Sequence, residues 1–178
     1  MAASQPKRPM YCIRQNPYAN TSQDLMFDII IEYNVVTCPF GHDQPHAARV
    51  EDKTYNEARL WPSREQDIKF IEDVKPDDIV VIPLKKKRRA IVGIIVSDPV
   101  RFMEPVLYEI RDASGNYTGL TREINGVPFN PWVRHIKVIG ILEDESCKGY
   151  MKSLQRINSS SPLHDKVMQF ILQHGQDN

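Results

Sequence analysis

Cysteine, net charge and long apolar runs are what this 178-residue sequence has least of. Its three cysteines, Cys12, Cys38 and Cys147, are few and odd in number, so no disulfide framework is expected. An intracellular, reducing home follows as an expectation: cytoplasmic, or nuclear in a eukaryote. Twenty-three Lys and Arg balance 23 Asp and Glu, for a formal charge of zero. A protein held on nucleic acid by bulk attraction carries a clear excess of cations. That class is excluded, and any nucleic-acid role must rest on a local patch and a specific pocket. No stretch approaches the ~18 consecutive apolar residues that span a bilayer. The N-terminal MAASQPKRP is polar and lacks the apolar core of a signal peptide. No membrane partner is expected.

Catalytic signatures are scarce too. A PD-(D/E)xK nuclease needs an acidic residue followed by Glu-x-Lys to hold a divalent cation and orient water. Pro76-Asp77 fits the first half, but no Glu-x-Lys follows, and Glu51-Asp52-Lys53 lies upstream, in the wrong order. There is no Gly-rich phosphate loop of the Walker or dinucleotide type. His164 and Asp165 have no Ser or Cys nucleophile in a recognisable turn. Cys38, His42 and His46 are spaced four apart, as soft zinc ligands can be, with Cys12 or Asp43 as a fourth donor. Pro39, Gly41 and Pro45 argue against a helix there, so the spacing implies no common face. Structural zinc sites also show two paired ligand sets, which this sequence does not. No enzyme, cofactor or metal is expected.

What is present is ordinary in bulk and specific in places. Hydrophobic content of 41% and charged content of 26% suit a globular domain, with room for a small appendage. Thirteen prolines point to turns and loops in place of long helices. Residues 61–99 read as helix, turn, strand, charged tip, strand. Ser63 is a good N-cap with Gln66 three residues on, as in a capping box. Ile68 and Ile71 share one helical face, with Phe70 at its edge. Lys75-Pro76-Asp77-Asp78 ends the helix in a turn. Ile79 to Ile82 and Ala90 to Val96 are apolar almost throughout, as in strands covered on both faces or walling a barrel. Between them Lys85, Lys86, Lys87, Arg88 and Arg89 must sit at a solvated tip.

The flanks fill in around this stretch. Residues 1–9 are expected to be a disordered arm. Met10 to Arg14 reads as a first strand, turning at Gln15-Asn16-Pro17. Thr21-Ser22 caps a helix over residues 23–33 along Leu25, Met26, Ile29, Ile30 and Tyr33, although Ile29-Ile30-Ile31 fits a strand equally. Residues 106–110 and 117–123 pair across Ser114-Gly115-Asn116. Residues 132–140 alternate as a last strand. A helix around residues 150–157 is allowed, then Ser161 as N-cap and Pro162 at the first position begin a final helix. Leu163, Val167, Phe170 and Ile171 line its face, and Gly175 ends it.

The helix, the Asp77-Asp78 turn, the apolar strand after it and the Ile91-Val92-Gly93-Ile94-Ile95-Val96 strand together resemble the PUA-like domains. Among these they are similar to the EVE and YTH proteins and the EVE-like modules of Mrr-type restriction enzymes. That family has Gly-Asp at the turn, where this chain has Asp77-Asp78. Tyr11-Cys12-Ile13-Arg14-Gln15-Asn16-Pro17, followed by Asp24-Leu25, resembles the opening Y-W-x-x-K-S-E-P strand and Asp-Leu loop of EVE domains, with Arg for Lys and Gln-Asn for Ser-Glu. Residues 35–41 resemble the second strand of the EVE-like modules.

The resemblance implies an α+β fold: a PUA-like, EVE-like barrel over residues 10–142, short surrounding helices, and a C-terminal helical appendage over residues 143–178. It implies a base pocket at Arg14, Gln15 and Asn16, with Trp61 and Ser63 opposite. Phe40 and Trp132 are further walls, although Trp132 also suits the core. The implied function is non-catalytic recognition of a methylated base, N6-methyladenine or 5-methylcytosine, in DNA in preference to RNA. A restriction or defence setting, with a nuclease acting in trans, goes with it. The five cations at 85–89 would clamp phosphate, or serve as a nuclear import signal or a solvated tip. The rival readings are a protein-binding adaptor on the same barrel and a small enzyme using the pocket.

Overall fold

A computed structural model describes residues 8–15, 23–37, 65–84, 89–104, 106–125, 127–128, 132–143 and 154–175. In chain order these form β1 (Met10–Ile13), α1 (Gln23–Tyr33), β2 (Val35–Thr37), α2 (Glu65–Glu72), β3 (Ile79–Leu84), β4 (Arg89–Ile95) and β5 (Val100–Arg101). There follow β6 (Val106–Arg111), β7 (Tyr117–Ile124), β8 (Val127–Pro128), β9 (Trp132–Glu143), β10 (Leu154–Arg156) and α3 (Pro162–His174). The class is α+β.

The main sheet runs β10-β1-β3-β4-β9-β2, with β5 added on β9. β1 and β3 are parallel, and the other pairs are antiparallel. The curl of this sheet comes from β9. Its first residues pair with β2 and β5, and the rest pair with β4. Between Val92↔Gly140 and Gly93↔Val138 the register slips, so Ile139 is an extra residue, and such a bulge bends a strand. Gly93 suits the bend, because a Cβ there would lie 3.1 Å from the Lys137 carbonyl oxygen. The result is a half-barrel. A separate three-stranded sheet, β6-β7-β8, turns at the expected hairpin. There Gly115 takes φ of 82°, and the Asp112 carboxylate accepts from the Ser114 and Asn116 N–H groups at 2.9 Å each.

Both faces of the main sheet are covered, which explains why β3 and β4 are apolar throughout. Alternate residues point to opposite faces. Val80, Ile82, Ile91 and Ile95 join one core with Met26, Ile29 and Ile30 of α1 and Phe70 and Ile71 of α2. Ile79, Val81, Ala90 and Val92 join the other with Leu163, Val167 and Phe170 of α3. Each such side chain contributes on the order of 1.5–3 kcal/mol by leaving water. α3 is framed as its sequence indicates: Ser161 Oγ accepts from the His164 N–H at 3.3 Å, and Pro162 stands in the first turn.

Two readings need adjustment. Residues 23–33 are helix, which settles the helix-or-strand ambiguity at Ile29-Ile30-Ile31. Phe70, at the edge of its helix face, is nonetheless fully buried, with Val74 and Ile71 buried beside it. Residues 154–156 are strand, not helix: β10 pairs with β1 from Tyr11↔Arg156 to Ile13↔Leu154. The chain after residue 143 thus contributes a sheet strand as well as the helix over one face. No helix among the described residues is long and apolar enough to cross a membrane.

Candidate functional site

β1 delivers Arg14 and Gln15 to one end of the half-barrel, and the ends of β2 and β9 meet them there. The Gln15 amide acts as a clasp. Its Nε2 donates to the Thr37 carbonyl at 3.2 Å, and its Oε1 accepts from the Thr37 N–H at 3.1 Å. Thr37 Oγ1 in turn donates to the Trp132 carbonyl at 3.4 Å. Three chain segments distant in sequence are tied by one buried polar relay. Both ends of the Gln15 amide thus serve the backbone, as buried polar groups require.

Of the residues expected to form a base pocket, Arg14, Gln15 and Trp132 are brought together here. Arg14 is half-buried, and Trp132 packs into the core with 7% exposure. Asn16, Phe40, Trp61 and Ser63 lie outside the described residues. So do Lys85, Lys86, Lys87 and Arg88, and the Cys38, His42, His46 set. Arg89 opens β4 and holds its guanidinium 5.7 Å from the Phe27 ring centroid, a cation–π contact. Among the described residues no group of three His, Cys, Asp or Glu is placed to hold a metal ion.

Sequence reasoning did not anticipate the buried charge on β9. Arg134 of β9 is 1% exposed. Its Nε donates to the Phe70 carbonyl at 3.0 Å, Nη2 to the Ile71 carbonyl at 2.9 Å and Nη1 to the Ser97 carbonyl at 3.0 Å. Phe70 and Ile71 stand in the last turn of α2, whose carbonyls lack helical partners and carry partial negative charge. Asp78 is the nearby anion. Its Oδ2 accepts from the Lys75 N–H at 2.8 Å, closing the turn after α2. Burial pushes the Asp78 carboxyl above its ordinary range, while that N–H and the Arg134 and Arg156 charges pull it back. Asp77 takes φ of 75° in the same turn, the left-handed region that favours glycine. The Tyr11 hydroxyl donates to the Asp73 carbonyl at 3.4 Å, and burial raises its pKa, with Asp78 adding to the rise.

Two cavities flank β10, away from Arg14 and Gln15. One, of about 660 Å³, is lined by Tyr11, Lys69, Glu72, Asp73, Lys75 and β10. The other, of about 420 Å³, lies between the start of β1 and the first turn of α3. Arg156 borders both. Their walls come from three stretches far apart in sequence, so no local motif marks them. No family model, curated protein or solved structure matches the chain.

Proposed function

We propose that this chain is a non-catalytic nucleic-acid-binding module on a PUA-like barrel, which recognises a methylated base, in DNA in preference to RNA. The base enters at the end of the half-barrel where Arg14 stands. The observation that carries the reading is the Gln15–Thr37–Trp132 relay, which fixes the ends of β1, β2 and β9 around Arg14. A pocket that must hold one flat base needs walls that do not move. The Asp77 backbone supports the family resemblance: at φ of 75° it occupies the geometry for which the family uses glycine, so Asp-for-Gly preserves the turn.

In this reading Gln15 positions the pocket and does not read the base, since its amide is engaged. Arg14 and Asn16 supply edge or phosphate contacts, and Trp61, carried over by the resemblance, supplies the stacking face. Stacking contributes about 1–3 kcal/mol per base, and burial of the extra methyl about 0.8. The methyl term alone corresponds to roughly fourfold in affinity. Local cations at 85–89 supply phosphate contacts.

The test is titration with oligonucleotides that carry N6-methyladenine or 5-methylcytosine, against unmodified twins. One methylated strand should bind at least fourfold tighter, Trp61→Ala should erase that preference, and Lys86→Ala should weaken all strands alike and flatten the salt slope by about one. Equal affinity for both members of each pair would overturn the reading.

A further inference from the structure

The smaller cavity at β10 is lined by cations without acids among the described residues. Its polar lining is Arg8, Arg156, Asn158, Ser159 and His164, with no Asp or Glu among the described residues that form it. The larger cavity sets Lys69, Lys75 and Arg156 against Glu72 and Asp73, so it carries no such bias. Neither Arg8 nor Arg156 forms an ion pair among the described residues. His164 Nδ1 is buried and meets no hydrogen-bond partner among them. A buried polar atom without a partner is uncommon in a folded chain and points to a missing one. Asn158 Oδ1 accepts from the Ser160 N–H and hydroxyl at 3.0 Å each, which fixes the turn and leaves the Asn158 amide N–H groups as further donors.

We propose that this cavity binds a phosphomonoester, with Arg8 and Arg156 pairing to the phosphate oxygens and His164 Nδ1 completing the donor set. A guanidinium fork matches phosphate geometry bidentately. A monoester carries close to two negative charges at neutral pH, against one for a diester, and two arginines balance it. Side chains make the site, not the helix end, because the His164 backbone N–H is already capped by Ser161 Oγ. A volume of about 420 Å³ exceeds a bare phosphate and suits a mononucleotide-sized group. Among the described residues no Phe, Tyr or Trp lines it, so the phosphate and not a base is what it reads. The site lies at the Met10 end of β1, opposite Arg14, and does not depend on base recognition.

Two sources share this chemistry, a free mononucleotide and the 5′-phosphorylated end of a nucleic acid. The test is an NMR titration of the full chain with inorganic phosphate, a nucleoside 5′-monophosphate, and two oligonucleotides that differ only in a 5′-phosphate. Amide signals of Asn158, Ser159 and His164 should shift with the monophosphate, and Arg8→Ala and Arg156→Ala should each weaken binding at least tenfold. Arg111→Ala, on the separate three-stranded sheet, should leave it unchanged. A 5′-phosphorylated oligonucleotide that outcompetes both its 5′-hydroxyl twin and the nucleotide assigns the site to nucleic-acid ends. Equal oligonucleotides with a saturating nucleotide assign it to the free ligand. No shift with any probe, or undiminished affinity in both arginine variants, overturns the proposal. Loss of methyl preference in Trp61→Ala with phosphate binding intact would separate the two sites.

Discussion

Replacing Arg134 with Met tests how the half-barrel is held to its helix. The methionine restores most of the aliphatic bulk and none of the donors. In the native protein the guanidinium links the last turn of α2, through Phe70 and Ile71, to the Ser97 carbonyl after β4. Hydrogen bonds to a charged group contribute about 1.5–3 kcal/mol each, so a bare sum would overstate the loss. Removing the guanidinium also returns the cost of keeping it out of water. The carbonyls stay, however, and each buried acceptor left alone costs about 1–3 kcal/mol. The expected net loss is about 3–5 kcal/mol, a large share of the ~5–15 typical of a domain. Urea denaturation should show it as a lower midpoint with an unchanged slope. Arg134→Lys should recover less than half, because one ammonium cannot reach three carbonyls on two segments. A loss below about 1 kcal/mol for the Met variant would refute the reasoning.

The same variant has a pH signature. Burial raises the Asp78 carboxyl, and Arg134 is among the charges that oppose the rise. Without Arg134 the carboxyl moves further up. A folded-state pKa above the unfolded value means that protonation favours the folded state, so stability is regained as pH falls through the folded pKa. The deficit of Arg134→Met should therefore narrow from neutral toward acid pH. A deficit that widens or stays flat would remove Asp78 as the partner. A double-mutant cycle with Asp78→Asn reads the same coupling at fixed pH.

Three further outcomes follow from single positions. Asp77→Gly should raise stability by about 0.5–1 kcal/mol in denaturant melts, because the residue sits at φ of 75° and its N–H bond to the Ile95 carbonyl is kept. Gly140→Val should cost about 1–3 kcal/mol and loosen α3, seen as faster amide exchange in that helix, because even a Cβ there would meet the Phe170 ring at 2.9 Å. Asp112 is held below the usual carboxylate range, first by the Asn116 N–H, so its support of the hairpin turn is present above the unfolded value and lost as pH falls through the folded one. The Asn116 amide resonance should titrate there, and in Asp112→Ala that titration should vanish.

Much of the frame was readable because its signals are local. β3 and β4 declare themselves by β-branched runs too apolar for a half-exposed sheet, and α3 by Ser161, Pro162 and Gly175 at its ends. β10 was not readable. Leu154, Gln155 and Arg156 are too short a run to show any period, and they are strand only because the edge of β1 takes them.

The polar residues mark the deeper limit of sequence reading. Arg14 and Gln15 follow β1 and Arg134 lies near the start of β9, and as letters any of them could contact a ligand. What separates them is which backbone groups come within reach, and that is fixed by pairings between distant segments. Gln15 finds both faces of the Thr37 peptide, and Arg134 finds three carbonyls from α2 and the loop after β4. Their hydrogen-bonding capacity goes largely into the scaffold. Recognition must come from groups whose donors the scaffold does not use. The same reasoning, applied at the other end of β1, singles out His164, whose buried Nδ1 the described scaffold leaves unmet.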